Sequence, residues 1–360
     1  PILNPSGVQE LIDFGLIGIA MSRFTGTWVG IKCVKDNVES TAVVDGDPHR
    51  LRIAMPTSAD FEMPAGGLNI RLGDPPLAKE QRWHEHKRDA IHAFARANGL
   101  DRIVIDGGQA PRVGIIAAGK SYADVRQALD MLGLDEARAS ALGLKLLKIG
   151  LVWPLEPQQL RAFADGLDLL IVVEEKRALI ESQVKELLYD LDSRPRVIGK
   201  TDEHSAPLLP AYGAHDPLPI AIAIGRRLAD ATGDADLTRR TTELEAVAQR
   251  RPTVPEPMQR RAYFCAGCPH NTSTRVPEGE RAYAGIGCHY MVQWMDRNTE
   301  GFTQMGGEGA NWIGEAPFSK RRHVFQNIGD GTYVHSGSLA MRAAIASGNI
   351  WPELSGGPPS

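Results

Sequence analysis

Hydrophobic and polar positions fall into three regimes along the 360 residues. Between residues 110 and 200 the pattern is regular. The apolar runs Val113–Ala118, Leu146–Val152 and Leu169–Val173 are separated by stretches of helical spacing, Tyr122–Leu132 and Pro157–Ala164, with Ile180–Tyr189 after the third run. Short runs without a polar face, alternating with helices, predict βαβ units and a mostly parallel sheet buried on both faces. Residues 1–55 mix signals: Val8-Gln9-Glu10-Leu11-Ile12 opens an amphipathic helix after the cap candidates Asn4 and Ser6, and Trp28–Val34 reads as a strand with Cys33 as a small buried apolar side chain. Residues 56–109 form a connecting segment rich in Pro and Gly, then a helix over Trp83–Asn98 that stops at Gly99. Residues 201–257 hold one helix, Ile220–Leu228, and a charged run with Pro252, Pro255 and Pro257 that reads as a linker. A last unit spans 258–350, and 351–360 form a tail of different character. No solenoid period is present.

Composition narrows the class. With 42% hydrophobic and 23% charged residues and a formal charge of -4, the chain has neither a basic face for nucleic acid nor a polybasic membrane patch. No run reaches the roughly 20 apolar residues of a membrane span, and no signal peptide is legible, so a cytoplasmic protein is expected. Four cysteines are too few for a disulfide scaffold. Three of them, Cys265, Cys268 and Cys288, are bunched, which in a reducing compartment points to metal or redox chemistry.

Two constellations carry that chemistry. The first is Phe264-Cys265-Ala266-Gly267-Cys268-Pro269-His270, followed by Gly285-Ile286-Gly287-Cys288-His289. Three thiolates in Gly-rich loops allow an iron–sulfur site with a ligand elsewhere, a Cys3His zinc site using His289 or His270, or a dithiol redox pair. The bland reading is buried cysteine without a ligand. His270 is either a cofactor contact or a satisfied loop histidine. The second constellation is His323–Thr332, ending Gly329-Asp330-Gly331, then an Ala-rich stretch Leu339–Ala346. A carboxylate and backbone N–H groups at a helix start suit Mg2+ held with a diphosphate. Asp-Gly also signals a hairpin, but helical spacing, not a return strand, follows. Between the two, Gln304–Trp312 contains Gly306, Gly307 and Gly309, which suits either close approach to a ligand or an ordinary turn.

Three blocks, FCAGCPHNTSTRVPEGERAYAGIGCHYM from 264, TQMGGEGANWIGEAPFSKRRHVFQNIGDGTYVHSGSLAMRAAIASGNI from 303 and MSRFTGTWVGIKCVKDNVES from 21, resemble the long bacterial indolepyruvate ferredoxin oxidoreductases, within the thiamine-dependent 2-oxoacid:ferredoxin oxidoreductases. The resemblance runs from Pro1 to about Ile350. It implies an α/β fold of thiamine-diphosphate-binding parallel-sheet domains, with a transketolase C-terminal-like domain at 110–200, the end of a pyrimidine-binding domain at 1–55 and the start of the diphosphate-binding domain at 258–350. It implies Cys265, Cys268 and Cys288 as ligands of a [4Fe–4S] cluster and Asp330 as the Mg2+ ligand. Gly329 and Gly331 would shape the diphosphate loop, and His270 and Gly287 would touch the cofactors. Ferredoxin, coenzyme A and an aryl 2-oxoacid are the implied partners, in a homo-oligomer. Other thiamine-dependent decarboxylases or transferases, and a non-catalytic zinc module, are the rival readings. Set beside the family, the chain is expected to be a fragment, inactive in isolation, with the activating glutamate and a fourth cysteine lying outside it.

Overall fold

The computed structural model describes residues 1–47, 49–250 and 261–348. The prolines at 252, 255 and 257, Asn349, Ile350 and the tail 351–360 lie outside the described residues. Two compact units, Pro1–Pro252 and Thr253–Ser360, divide the chain.

In the first unit, β1 (Ile2–Leu3) and β2 (Gly30–Ile31) bracket the helix Val8–Thr25, and β3 (Arg102–Asp106), β4 (Val113–Ala118) and β5 (Leu144–Ile149) follow. Then come β6 (Leu151–Trp153), β7 (Leu169–Val173) and β8 (Arg196–Ile198). The main sheet has the order β3-β5-β4-β7-β8, parallel except for β3. Successive side chains alternate between its faces. Val113, Ile115, Ala117, Ile171 and Val173 pack with Val125, Leu129, Ile220 and Ile224 on one side, and Ile116, Leu170 and Val172 pack with Phe163, Val184 and Leu188 on the other. Both faces are covered, which is why these strands read as unbroken apolar runs.

Three expectations change here. The run Leu146–Val152 is two strands: β6 pairs antiparallel with β1 in a separate sheet, because Gly150 turns under Leu100 and Phe14, where a Cβ would meet the Leu100 carbonyl at 2.4 Å. The expected linker contains a 16-residue helix, Ala235–Arg250. Only Leu237, Thr241 and, partly, Leu244 face the core, a stripe too narrow to stand out in a charged run, and Gly225 lets the helix approach closely, a Cβ there lying 2.4 Å from Thr241 Oγ1. Cys33 is exposed, since β2 ends at Ile31.

The N-terminal helix is likewise not capped as expected. Gly7 is its N-cap, and Ser6 instead donates from its N–H and hydroxyl to the Glu10 carboxylate, at 2.9 and 2.8 Å. This helix buries Phe14, Ile17 and Met21 against Ile91, Phe94, Leu100 and Leu151, so the opening residues share a core with the helix Arg88–Ala97. Among the described residues, no helix is long and apolar enough to cross a membrane.

In the second unit, β9 (Ala282–Ala284), β10 (Thr299–Phe302) and β11 (Phe325–Gln326) form a parallel sheet in the order β10-β9-β11. Its central strand is fully buried. At its starting edge Arg281 and Tyr283 both engage the Glu315 carboxylate. Burial, and then that contact, push the Tyr283 phenol up to about 12, so it stays a hydrogen-bond donor.

Candidate functional site at the carboxyl end of the small sheet

Because β9, β10 and β11 are parallel, the loops that follow them leave from one end of the sheet, where ligands of open α/β sheets bind. Those loops are Gly285–His289, Thr303–Gly309 and Asn327–Gly331, the segments singled out above. The first and third touch: a Cβ on Gly285 would lie 2.6 Å from the Asn327 carbonyl oxygen, so only glycine permits this approach. The second meets the chain beyond Asp330, with a Cβ on Gly306 falling 2.9 Å from Ser336 Oγ.

Cys265 and Cys268 stand at the two ends of one β-turn. The Cys268 N–H donates to the Cys265 carbonyl at 3.1 Å, and Gly267, at φ 74°, occupies the position that needs a positive φ. Cys268 Sγ lies 3.0 Å from His270 Nδ1. The His270 ring lies 4.4 Å from that of His289, the neighbour of Cys288, and stacks on Phe264 at 5.2 Å. Two imidazoles therefore tie the Cys-x-x-Cys turn to the Gly-Ile-Gly-Cys loop. Arg297 braces the turn, donating to Thr274 Oγ1 at 2.7 Å and to the Asn271 carbonyl at 3.1 Å, with its guanidinium over Phe264. Burial, reinforced by the neighbouring His270, holds His289 below the usual imidazole range, so it is neutral near pH 7.

Asp330 opens an unbroken helical run, Asp330–Thr332, a π-turn over Tyr333–Gly337, and Ser338–Ala346; helical spacing marks only Leu339–Ala346. The Asp330 side chain is exposed. Gly329 and Gly331 flank it, and Gly287, at φ 87°, starts the 3-10 helix that carries Cys288 and His289.

The residues fit the groups that the resemblance implies. Cys265 and Cys288 are exposed and Cys268 half-buried, all as free thiols, the donor chemistry of iron–sulfur sites, and Asp330 is a hard oxygen donor. Among the described residues, no three His, Cys, Asp or Glu side chains are gathered around a single ion position. Buried polar atoms without partners also collect in this region: Thr303 Oγ1, Glu308 Oε1, Asn311 Oδ1, Gln326 Oε1 and Asn327 Nδ2. Native interiors satisfy nearly all such groups, and these atoms lie near the ends of β10 and β11. Sequence reasoning missed Glu308, which is completely buried; the only signal was its place among three glycines.

A parallel α/β framework with Gly-rich loops leaving one sheet end is the class defined by this geometry. Residues 101–251 match the indolepyruvate oxidoreductase domain. Among curated relatives, the indolepyruvate oxidoreductase subunit IorA of Thermococcus kodakarensis is 28% identical over 260 residues, covering 67% of this chain and 37% of that protein. The Archaeoglobus fulgidus subunit of the same name is 25% identical over 356 residues, 94% of this chain and 50% of its own length. A solved 2-oxoglutarate:ferredoxin oxidoreductase from Magnetococcus marinus, with 2-oxoglutarate, coenzyme A and succinyl-CoA bound, superposes with a TM-score of 0.39 at 16% identity, over 63% of this chain and 42% of that one. The chain is similar to these indolepyruvate oxidoreductase subunits, and it spans about half or less of the length of these curated relatives.

Proposed function

We propose that this chain supplies part of the catalytic centre for oxidative decarboxylation of an aryl 2-oxoacid, indolepyruvate. In that reaction the bond between the carboxylate and keto carbons breaks and CO2 leaves. A thioester to coenzyme A forms, a proton is released, and two electrons pass singly to ferredoxin. The observation that carries the reading is the contact between Gly285 and Asn327, which sets the Gly-Ile-Gly-Cys loop beside the Gly-Asp-Gly loop. When bound, thiamine diphosphate supplies the electron sink that decarboxylation requires, and a [4Fe–4S] cluster supplies one-electron transfer.

The chain's own residues would divide the work. Asp330 would hold Mg2+, and the backbone N–H groups at the start of its helical run, shaped by Gly329 and Gly331, would face the diphosphate. Cys265, Cys268 and Cys288 would ligate the cluster, with His270 beside the Cys268 sulfur and Gly287 clearing space for the cofactors. Ferredoxin and coenzyme A are the partners, in a soluble cytoplasmic homo-oligomer. The 25–29% identity to proteins named for indolepyruvate supports that substrate over other 2-oxoacids.

The test is anaerobic purification followed by iron, sulfide and zinc analysis, with calorimetric titration of thiamine diphosphate in the presence of Mg2+. The expected result is iron with sulfide, and thiamine binding that Asp330→Asn weakens about tenfold or more, the loss of about 1.4 kcal/mol. Zinc in place of iron, or thiamine binding indifferent to Asp330, would overturn the proposal.

A further inference from the structure

We infer that Glu308 is the acceptor for the indole N–H of the substrate, and so selects an indole side chain over other aryl groups; the inference rests on the reading of this site as an aryl 2-oxoacid centre. Glu308 has no exposed surface. One carboxylate oxygen accepts the Gly306 N–H at 2.7 Å, and the other has no hydrogen-bond partner. The nearby Asn311 Oδ1 also lacks a donor. A buried acceptor in this state is costly unless a ligand brings a donor to it.

The loop that carries Glu308 follows β10, at the sheet end where the Cys288 and Asp330 loops emerge. Its Gly306 backbone lies against Ser336, in the helical run that Asp330 opens. The loop that carries the carboxyl group therefore touches the helical run that Asp330 opens.

The chemistry of the substrate selects the donor. The head of a 2-oxoacid, a carboxylate beside a ketone, offers only acceptors and would be repelled by a second carboxylate. In indolepyruvate the one N–H lies on the ring. Phenyl and hydroxyphenyl analogues have no N–H at that place. A site that hydrogen-bonds a substrate N–H discriminates strongly against analogues lacking it, because the acceptor is then left unpaired.

The test measures binding of indolepyruvate, its N-methylindole analogue and phenylpyruvate to the full chain by calorimetry, with thiamine diphosphate and Mg2+ present. The wild-type protein is expected to prefer indolepyruvate over the N-methyl analogue by about tenfold or more. Glu308→Gln, which can keep the Gly306 bond while turning its NH2 to the ligand, and Glu308→Leu, which removes the acceptor, are both expected to bring that ratio within about twofold of unity while phenylpyruvate binding is retained. Circular dichroism separates misfolding from this effect. An absent wild-type preference, or equal weakening of all three ligands by Glu308→Gln, overturns the inference. If cofactors load but no N–H preference exists, Glu308 has been misassigned and the reaction stands. If the preference depends on Glu308 in a protein that binds neither thiamine nor iron, the reaction fails and the indole site stands.

Discussion

The backbone of Gly285 lies against the carbonyl of Asn327, so close that a methyl group on Gly285 would overlap the oxygen at 2.6 Å. This contact joins the ends of two neighbouring parallel strands, and with them the cysteine and aspartate loops.

Replacing Gly285 by alanine forces that loop pair apart. We expect Gly285→Ala to destabilise the second unit by about 1–3 kcal/mol, the usual cost of overpacking against backbone. Thiamine diphosphate binding should weaken with it. Urea denaturation and calorimetry check both, and a variant as stable as the wild type with unchanged binding would remove the contact's importance.

The bunched cysteines and the isolated one should behave differently. Serine at Cys265, Cys268 or Cys288 is expected to cut iron and sulfide after anaerobic reconstitution by more than about half, since a cluster held by thiolates tolerates loss of one poorly. Cys33→Ser, an exposed position in the other unit, should leave the content unchanged. Equal iron in all four variants would show that these sulfurs hold no cluster.

Asp101 predicts a pH signature of folding. It is buried, accepts the Gly150 and Leu151 N–H groups, and desolvation pushes its carboxyl up to about 7 from 3.8. Below about pH 4 it is protonated folded and unfolded; between about pH 4 and about 7 only the unfolded chain is ionised, so the unfolded state binds fewer protons and stability falls as pH rises. The slope reaches at most about 1.4 kcal/mol per pH unit. Asp101→Asn should remove this component, seen as a wild-type minus variant difference in urea midpoints that varies across the window. A constant difference would refute the assignment.

Leu237 anchors the helix Ala235–Arg250 with no exposed surface. Leu237→Ala should cost about 2–5 kcal/mol. Hydrogen exchange should show that helix losing protection first; unchanged protection would mean that Thr241 and Leu244 suffice.

Much of the first unit was legible because burial on both faces leaves a local trace. Val113–Ala118 and Leu169–Val173 have no polar side, and the strands lie there. The helix Ala235–Arg250 left almost none, because three inward residues among charges do not make an amphipathic pattern that stands out. The site divides in the same way. Cys265, Cys268, Cys288 and Asp330 stood out as candidates by residue type and spacing, whereas Glu308 resembled any acid in a glycine-rich turn.

By itself, then, the sequence determined the parallel α/β class and the helix over Leu339–Ala346, both set by side-chain periodicity. Tertiary structure alone decided that β9 lies between β10 and β11 and that one carboxylate oxygen of Glu308 is enclosed without a donor. Strands of two to four residues carry too little local information to choose their neighbours. That choice is made by backbone hydrogen bonds and burial between segments dozens of residues apart.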